Sequence, residues 1–330
     1  MKSISLVLSA LLMFFSSLPA AWAEASPVPP IEICAEWDLA DFPSLSLALL
    51  QAQEAESGEA AGREPNMRLR RWIAHGIAFG GAAGFAGWAA EAWWSEGKKS
   101  FGIDEEAFFG QDTYTGGADK LGHMWGGYWS TRAVTSLYRW AGVPKKKALL
   151  IGSLYSVGLL TMVEFADGFT DFRFSFEDVA VNTIGTLLAG ALILYPKLDD
   201  LIDFRLEYFP SETFIDKGDH VNFAEDYSGM TFLFVLRLAG IPRLKETPLR
   251  FFDLDVGYYT LYYKPEDESK IPERHFVAGV SLDMREFLDV FLLDRFDGYR
   301  KTKLIVRTTL EYLQIPYTRV SVVDHMLPQD

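Results

Sequence analysis

Residues 118–142 read ADKLGHMWGGYWSTRAVTSLYRWAG, a continuous helical pattern that ends at the glycine of position 142. Three more segments carry long apolar runs: residues 72–90, 148–163 and 176–195. The last of them begins with the capping box Ser175-Phe176-Glu177-Asp178, in which a serine side chain caps the first turn of a helix. Residues 67–196 are therefore predicted to form a bundle of four hydrophobic helices.

The pattern changes after Pro196 to the alternation of apolar and polar residues that is typical of β-strands. The clearest runs are residues 231–238, 254–263, 275–284 and 303–312, and residues 204–209 are a candidate for a fifth strand. Turn residues separate these runs, so residues 197–330 are predicted to form an antiparallel β meander. The smallest transmembrane barrels need about eight strands, which argues against a complete barrel. The whole chain is therefore predicted to have an α+β fold.

The N-terminus has the features of an export signal. Lys2 supplies a positive charge, residues 4–18 form an apolar stretch, and Ala21-Trp22-Ala23 is a small-x-small cleavage site. Residues 1–23 are predicted to be a signal peptide, and residues 24–66 a linker. An uncleaved membrane anchor is the alternative, and in either case the chain leaves the cytoplasm for the cell envelope.

Composition excludes several classes of protein. The 330 residues carry 45 acidic and 31 basic side chains, a net charge of −14, so a surface for nucleic acid is not expected. The one cysteine, Cys34, allows neither an intrachain disulfide framework nor a multi-cysteine metal site. With 49% hydrophobic residues, the chain is more apolar than a typical soluble enzyme. The expected partners are a membrane lipid or another envelope protein.

The first apolar segment has glycines at every fourth position, Gly76, Gly80 and Gly84, which lie on one helical face. This spacing predicts a helix-packing face, either in a membrane or in a tightly packed soluble bundle. If the chain began outside the cytoplasm and crossed four times, seven basic residues would lie outside and three inside, against the positive-inside rule. A periplasmic or outer-membrane-associated protein is therefore favoured over a polytopic inner-membrane protein.

Polar residues interrupt the apolar segments at positions that can meet at one end of the bundle. Residues four apart share a helical face, and antiparallel packing brings the end of the third helix beside the start of the fourth. The residues concerned are Asp119, Lys120, His123, Glu164, Asp167, Asp178 and Asn182. Lys120 is expected at the rim of this cluster.

Two interpretations of the cluster stay open. In the first, His123 acts as acid and base, and Glu164 and Asp178 orient it or bind a divalent metal with it. In the second, the cluster is a buried polar network that fixes helix register, with Lys120 neutralising two carboxylates. The sequence has no nucleophile motif and no paired-histidine metal motif, which favours the structural interpretation. No cofactor is predicted, and a divalent metal stays an option.

The same residues carry a resemblance to a known family. DKLGH at 119–123, EFADG at 164–168 and FSFEDVAVNTIG at 174–185 resemble, in this order, the YfiM-type family of bacterial envelope proteins, and more distantly the VanZ-like membrane proteins. The resemblance covers about residues 110–195 and implies a helical domain of unknown function in the cell envelope, without an established reaction. Many members are lipoproteins, whereas Cys34 does not directly follow the apolar leader of this chain.

The expected function follows from the location and the cluster together. The chain is predicted to be an envelope protein, associated with a membrane, with a structural or envelope-maintenance role. The alternative is an enzyme that acts on a lipid or cell-wall intermediate through His123, Glu164 and Asp178.

Overall fold

The computed structural model describes residues 66–94, 99–104, 107–217, 223–263, 270–291 and 300–328. The predicted signal peptide lies outside these ranges, and so does the predicted linker except for Asn66.

Four long helices form the first half of the described chain: α1 at Met67–Ala92, α2 at Ala118–Trp140, α3 at Lys145–Asp167 and α4 at Phe176–Leu194. They coincide with the four predicted helices, and local chemistry sets their ends. After α2, Gly142 adopts a left-handed backbone with a φ of +77°. At the start of α4, the Ser175 hydroxyl accepts a hydrogen bond of 3.1 Å from the Asp178 amide, as the capping box predicts.

Two short strands, β1 at Ile103–Asp104 and β2 at Phe174–Ser175, pair in parallel. The described residues contain eight α-helices, so the prediction of four is too low. The additional helices are short: α5 at Pro196–Asp199, α6 at Glu212–Lys217, α7 at Met284–Phe291 and α8 at Arg300–Tyr312.

The second half of the chain forms a six-stranded sheet with the strand order β7-β3-β4-β5-β6-β8. Its strands are β3 at Ile202–Tyr208, β4 at Met230–Arg237, β5 at Phe252–Leu261, β6 at Glu273–Leu282, β7 at Leu313–Gln314 and β8 at Arg319–Met326. All neighbours are antiparallel except β7, which runs parallel to β3. The predicted α+β fold and the antiparallel meander β3-β4-β5-β6 are confirmed.

Residues 303–312, predicted as a strand, lie in α8, so that prediction is wrong. Their β-branched residues favour a strand locally, but the end of α8 packs into the interior. Leu310, Glu311 and Tyr312 are buried in succession, so this end of the segment is enclosed by the rest of the protein. The Arg132 side chain of α2 pairs with Glu311 and donates a hydrogen bond of 3.1 Å to the Tyr312 hydroxyl. This contact between distant parts of the sequence outweighs the local propensity.

Within the bundle, α2 packs against both α3 and α4, and glycines permit the closest approaches. A Cβ atom at Gly127 would lie 2.3 Å from the backbone oxygen of Asn182, and one at Gly185 would lie 1.9 Å from the backbone oxygen of Met124. Backbone oxygens cannot move aside as a flexible side chain can. The tight contact between α2 and α4 therefore requires glycine at both positions.

The face that α1 presents to the bundle is made of alanines rather than of the predicted glycines. Its buried residues are Ala74, Ala78, Ala82, Ala86 and Ala89. A Cβ atom placed on Gly76, Gly80 or Gly84 would meet nothing within 4 Å in the described part of the chain. Docking of a further helix on the glycine face stays a prediction. That helix would have to come from outside the described residues or from another molecule.

Four hydroxyl groups link α2, α3 and α4 inside the bundle. The hydroxyls of Ser130 and Ser156 lie 2.7 Å apart. Thr186 donates to Ser156 at 3.2 Å, and Thr131 donates to Thr186 at 3.2 Å. All four side chains are buried, so each needs such a partner.

One face of the sheet buries charges. The Arg205 guanidinium donates to Asp203 at 2.6 Å and to Asp253 at 2.8 Å, and Arg237 donates to Asp283 at 3.0 Å. All of these side chains are buried, and Asp253 and Asp283 are fully so. These charged side chains can be buried on one face of the sheet because each contacts a side chain of opposite charge.

The opposite face of the sheet is apolar, and only part of it is covered. At β3 and β4, Phe204 and Phe232 pack in one cluster with Tyr128 of α2 and Leu192 of α4. Beyond them the face is exposed. We call this exposed part the apolar sheet face, and its members are Phe234, Leu236, Phe252, Leu254, Val256, Phe276, Val320 and Val323.

The strand register shows that the apolar sheet face is continuous. Val256 of β5 is paired with Phe234 of β4 on one side and with Ala278 of β6 on the other. Ala278 is in turn paired with Val323 of β8. Paired residues of antiparallel strands point to the same side, so the apolar residues form one surface across four strands.

Candidate functional site

The polar residues singled out in the sequence come from three helix ends that meet at one end of the bundle. Asp119, Lys120 and His123 lie in the first turns of α2, and Asp178 lies in the first turn of α4. Glu164 lies in the last turn of α3. Because α3 is antiparallel to both neighbours, its end and the two helix starts share one location.

Lys120 lies at the centre of the charges, so the expectation that it lies at the rim is wrong. Its ammonium donates to Asp119 at 2.9 Å and to Asp178 at 3.2 Å, and the residue is 0% exposed. The Asp119 carboxylate also accepts a hydrogen bond of 2.7 Å from the Thr115 hydroxyl. The lysine can be buried because these two carboxylates compensate its charge.

His123 lies between the buried carboxylates of Glu164 and Asp178. Its Nδ1 atom is 3.3 Å from Oε1 of Glu164, and its Nε2 atom is 4.0 Å from Oδ1 of Asp178. The imidazole is 23% exposed, whereas both carboxylates are buried. The histidine therefore forms the solvent-facing side of the cluster.

The cluster shifts the protonation of both members of the histidine–glutamate pair. The pKa of Glu164 is raised to about 8, mainly by burial. His123 lowers this pKa, whereas the negative charges of Asp178 and Asp167 raise it. Burial alone would lower the pKa of His123, but Glu164, Asp178 and Asp119 outweigh it and raise that pKa to about 8. At neutral pH the pair therefore retains a proton, as a general acid requires.

Four buried atoms of the cluster lack hydrogen bonds that their chemistry calls for. Oε1 of Glu164 and Oδ1 of Asp178 have no hydrogen-bond partner among the described residues, despite their nearby cations. Asn182, one turn after Asp178 on α4, is 1% exposed, and neither atom of its amide is partnered within the same ranges. Buried polar groups are nearly always paired, so these atoms are available for contacts with water or a ligand.

Asp167 has a partner outside the cluster. The indole of Trp94 donates a hydrogen bond of 2.6 Å to its carboxylate, and burial raises the pKa of Asp167 to about 6, in spite of this bond. Asp167 contributes negative charge to the site, although its carboxylate is bound elsewhere.

Sequence reasoning missed two aromatic residues near the site. Trp94 follows α1, and only its contact with Asp167 identifies it. Tyr227 comes from the second half of the chain: its ring lies 3.5 Å from the position of a Cβ atom on Gly122. Burial raises the pKa of Tyr227, with Asp119 as the next cause. No spacing in the sequence could reveal either residue, because both reach the site from distant segments.

His123, Glu164 and Asp178 can also surround a cation. Each offers one ligand atom, and these three atoms lie within 4.8 Å of one another. Among the described residues this is the one group of three or more histidine, cysteine or acidic side chains with such an arrangement. The site can therefore serve for proton transfer or for binding a divalent metal.

The comparisons with known proteins concern this same region. Residues 104–195 match the family model for a predicted periplasmic lipoprotein, the domain of unknown function DUF2279. The match includes every cluster residue from Asp119 to Asn182. No curated protein and no solved structure matches the chain. Over residues 104–195 the chain is thus similar to a family of predicted periplasmic lipoproteins, in agreement with its predicted export, and it is a protein of the cell envelope.

Proposed function

We propose that this envelope protein is bound to a membrane surface through the apolar sheet face. The observation that carries the proposal is the inverted burial of the sheet. Asp253 and Asp255 of β5 are buried, whereas Phe252, Leu254 and Val256, which alternate with them, are exposed. A sheet that faces water on one side has the reverse arrangement, so hydrocarbon is the better solvent for this face.

The helices support the same proposal. Among the described residues, α3 and α4 are long and apolar enough, by length and composition, to cross a membrane, and each is partly buried in the protein. On α4, Ile184 and Leu187 are exposed. The protein therefore offers apolar surface to lipid from both halves of the described chain.

The charge of the chain distinguishes two ways of binding a membrane: burial of apolar surface in lipid and electrostatic attraction to the headgroups. With a net charge of −14, the chain is repelled by anionic lipid headgroups. Binding must then come from burial of apolar surface, about 25 cal/mol for each Å². We expect the binding to persist at high salt, which would weaken an electrostatic attraction.

The test is sedimentation of the purified exported chain with phosphatidylethanolamine vesicles. The double variant Leu254→Gln, Val256→Gln should bind at least about tenfold more weakly, because each buried aliphatic side chain contributes about 1.5–3 kcal/mol. Ile215→Gln is the matched control, because Ile215 is exposed on α6, whose residues Glu212 and Thr213 line a pocket with Thr231 and Tyr259 of the opposite sheet face. Equal vesicle binding by the double variant and the wild type would contradict the proposal.

A second candidate function is catalysis at the His123 site, on a lipid or cell-wall intermediate. The observation that favours it is the partly exposed histidine beside two buried carboxylates with unpaired oxygens. His123 would transfer the proton, and Glu164 would orient it. His123→Gln and Glu164→Gln should then leave a folded, abundant protein with an envelope defect. If both variants lose function only in proportion to lost folded protein, the cluster is structural.

A further inference from the structure

We propose that His123, Glu164 and Asp178 bind one divalent transition-metal cation of the zinc or manganese type. This inference does not depend on contact between the sheet and lipid. It rests on the geometry of the three ligands, on unpaired buried atoms and on the charge of the site.

The ligand geometry is close to what a metal needs. Metal bonds to nitrogen and carboxylate oxygen are about 2.0–2.2 Å long, so neighbouring ligand atoms lie about 3–3.6 Å apart. The 3.3 Å between Nδ1 of His123 and Oε1 of Glu164 already falls in this range. Asp178 is farther, and its ligand atom lies within 4.8 Å of the other two. A small rotation of its side chain would complete the set.

The unpaired atoms are an independent indication of a ligand. Glu164 is 2% exposed, and its Oε1 atom, which faces His123, has no hydrogen bond within the described ranges. Buried polar atoms without a hydrogen bond are rare in folded proteins. A cation between Glu164 and Asp178 would bind both oxygens, whose present neighbours are His123 at 3.3 Å and Lys120 at 3.1 Å. Asn182, whose amide is also unpaired, is the candidate for a fourth ligand or for a partner that orients Asp178.

The charge of the site also calls for a cation. Asp119, Asp178 and Glu164 are three carboxylates beside one lysine, so two negative charges remain once a metal displaces the proton of the His123–Glu164 pair. A divalent ion supplies the missing charge. One imidazole with carboxylates suits zinc or manganese better than magnesium, which prefers oxygen ligands alone. His123, which is 23% exposed, gives the site access to water.

The test measures metal content directly. The full exported chain is stripped with a chelator, dialysed against zinc or manganese ions, and its bound metal is measured by mass spectrometry. We expect one equivalent in the wild type and loss of stoichiometric binding in His123→Ala. Glu164→Gln keeps the shape of the side chain and should also lose the metal. Its result separates loss of a metal ligand from misfolding caused by His123→Ala. Asn182→Ala should weaken binding about 10–100-fold.

His275 provides the matched control. Its ring nitrogens lie 3.0 Å from Glu273 and 2.8 Å from Asp324, so it too is flanked by two acidic side chains. These residues do not meet the geometry of the metal group, and His275→Ala should keep the full equivalent of metal. A wild-type protein without bound metal, or a His123→Ala variant that retains it, would overturn the proposal. Vesicle binding is measured separately, so a failure here leaves the lipid proposal standing.

Discussion

Gly185 of α4 lies so close to Met124 of α2 that a Cβ atom at position 185 would be 1.9 Å from the Met124 backbone oxygen. The contact holds the middle of α4 against α2, about two turns after Asp178 in the first turn of the helix. Small residues at helix interfaces allow such close approach of two backbones.

Gly185→Ala should therefore destabilise the protein by about 1–3 kcal/mol or more, because the two helices must separate. Gly190→Ala is the control: its Cβ atom would lie 3.8 Å from a side-chain atom of Leu149, an ordinary contact. That variant should be neutral or gain up to about 1 kcal/mol from helix propensity. Urea unfolding of both variants measures the difference, and an equal effect at the two positions would show that the contact is not tight.

The two faces of α1 should respond differently to the same substitution. Ala78→Leu should cost about 1–3 kcal/mol, because Ala78 is buried against the bundle. Gly80→Leu should leave the stability of the isolated chain unchanged or slightly higher, because the added side chain meets open space. Thermal unfolding tests this pair. If Gly80→Leu also lowers the oligomeric state, the glycine face packs against a second copy.

Lys120→Met should be strongly destabilising, by about 3–5 kcal/mol, because Asp119 and Asp178 would be left buried without their cation. Adding Asp178→Asn should recover part of the loss. Lys146→Met, at an exposed position on α3, is the control and should have little effect. Unfolding free energies of the three proteins test this, and a mild effect of Lys120→Met would place the lysine in contact with water.

The charged face of the sheet predicts a pH dependence. Burial alone would raise the pKa of Asp283, but Arg237, Arg285 and Arg205 outweigh it and lower that pKa from 3.8 to about 2. The stability that Asp283 contributes is therefore present above pH 3.8 and is lost as the pH falls through 2. Asp283→Asn should be less stable than the wild type at neutral pH, and the gap should narrow as the pH falls from 3.8 to 2.

Urea unfolding at a series of pH values measures that gap. Asp216→Asn, at an exposed position of α6, should show no such narrowing. A gap that stays constant down to pH 2 would mean that folding does not lower the pKa of Asp283.

The helices were predictable because their signals are local. Apolar runs, the glycine after α2 and the Ser175 cap depend on neighbouring residues alone, and the structure places the helix ends within a few positions of the prediction. The position of Lys120 was not predictable in this way. Its burial depends on Asp178, which is 58 positions away in the sequence.

The errors in the second half of the chain have the same origin. Residues 303–312 carry strand-forming side chains, yet contacts of Glu311 and Tyr312 with Arg132 hold a helix there. Strand β8 has few buried residues, so its own sequence gives little signal, and its existence depends on pairing with β6. Long-range contacts of this kind decide between local propensities that are nearly equal.

The hydroxyl contacts inside the bundle set the precision of the site at its end. Ser156 lies eight positions before Glu164 on α3, about 12 Å along the helix axis. If α3 slid by a single residue relative to α2, Glu164 would move by about 1.5 Å, nearly half of its present distance from His123. The same slip would break the Ser130–Ser156 contact. Two small hydroxyl groups, about 12 Å from the glutamate along α3, thus keep the histidine and the glutamate within reach of each other.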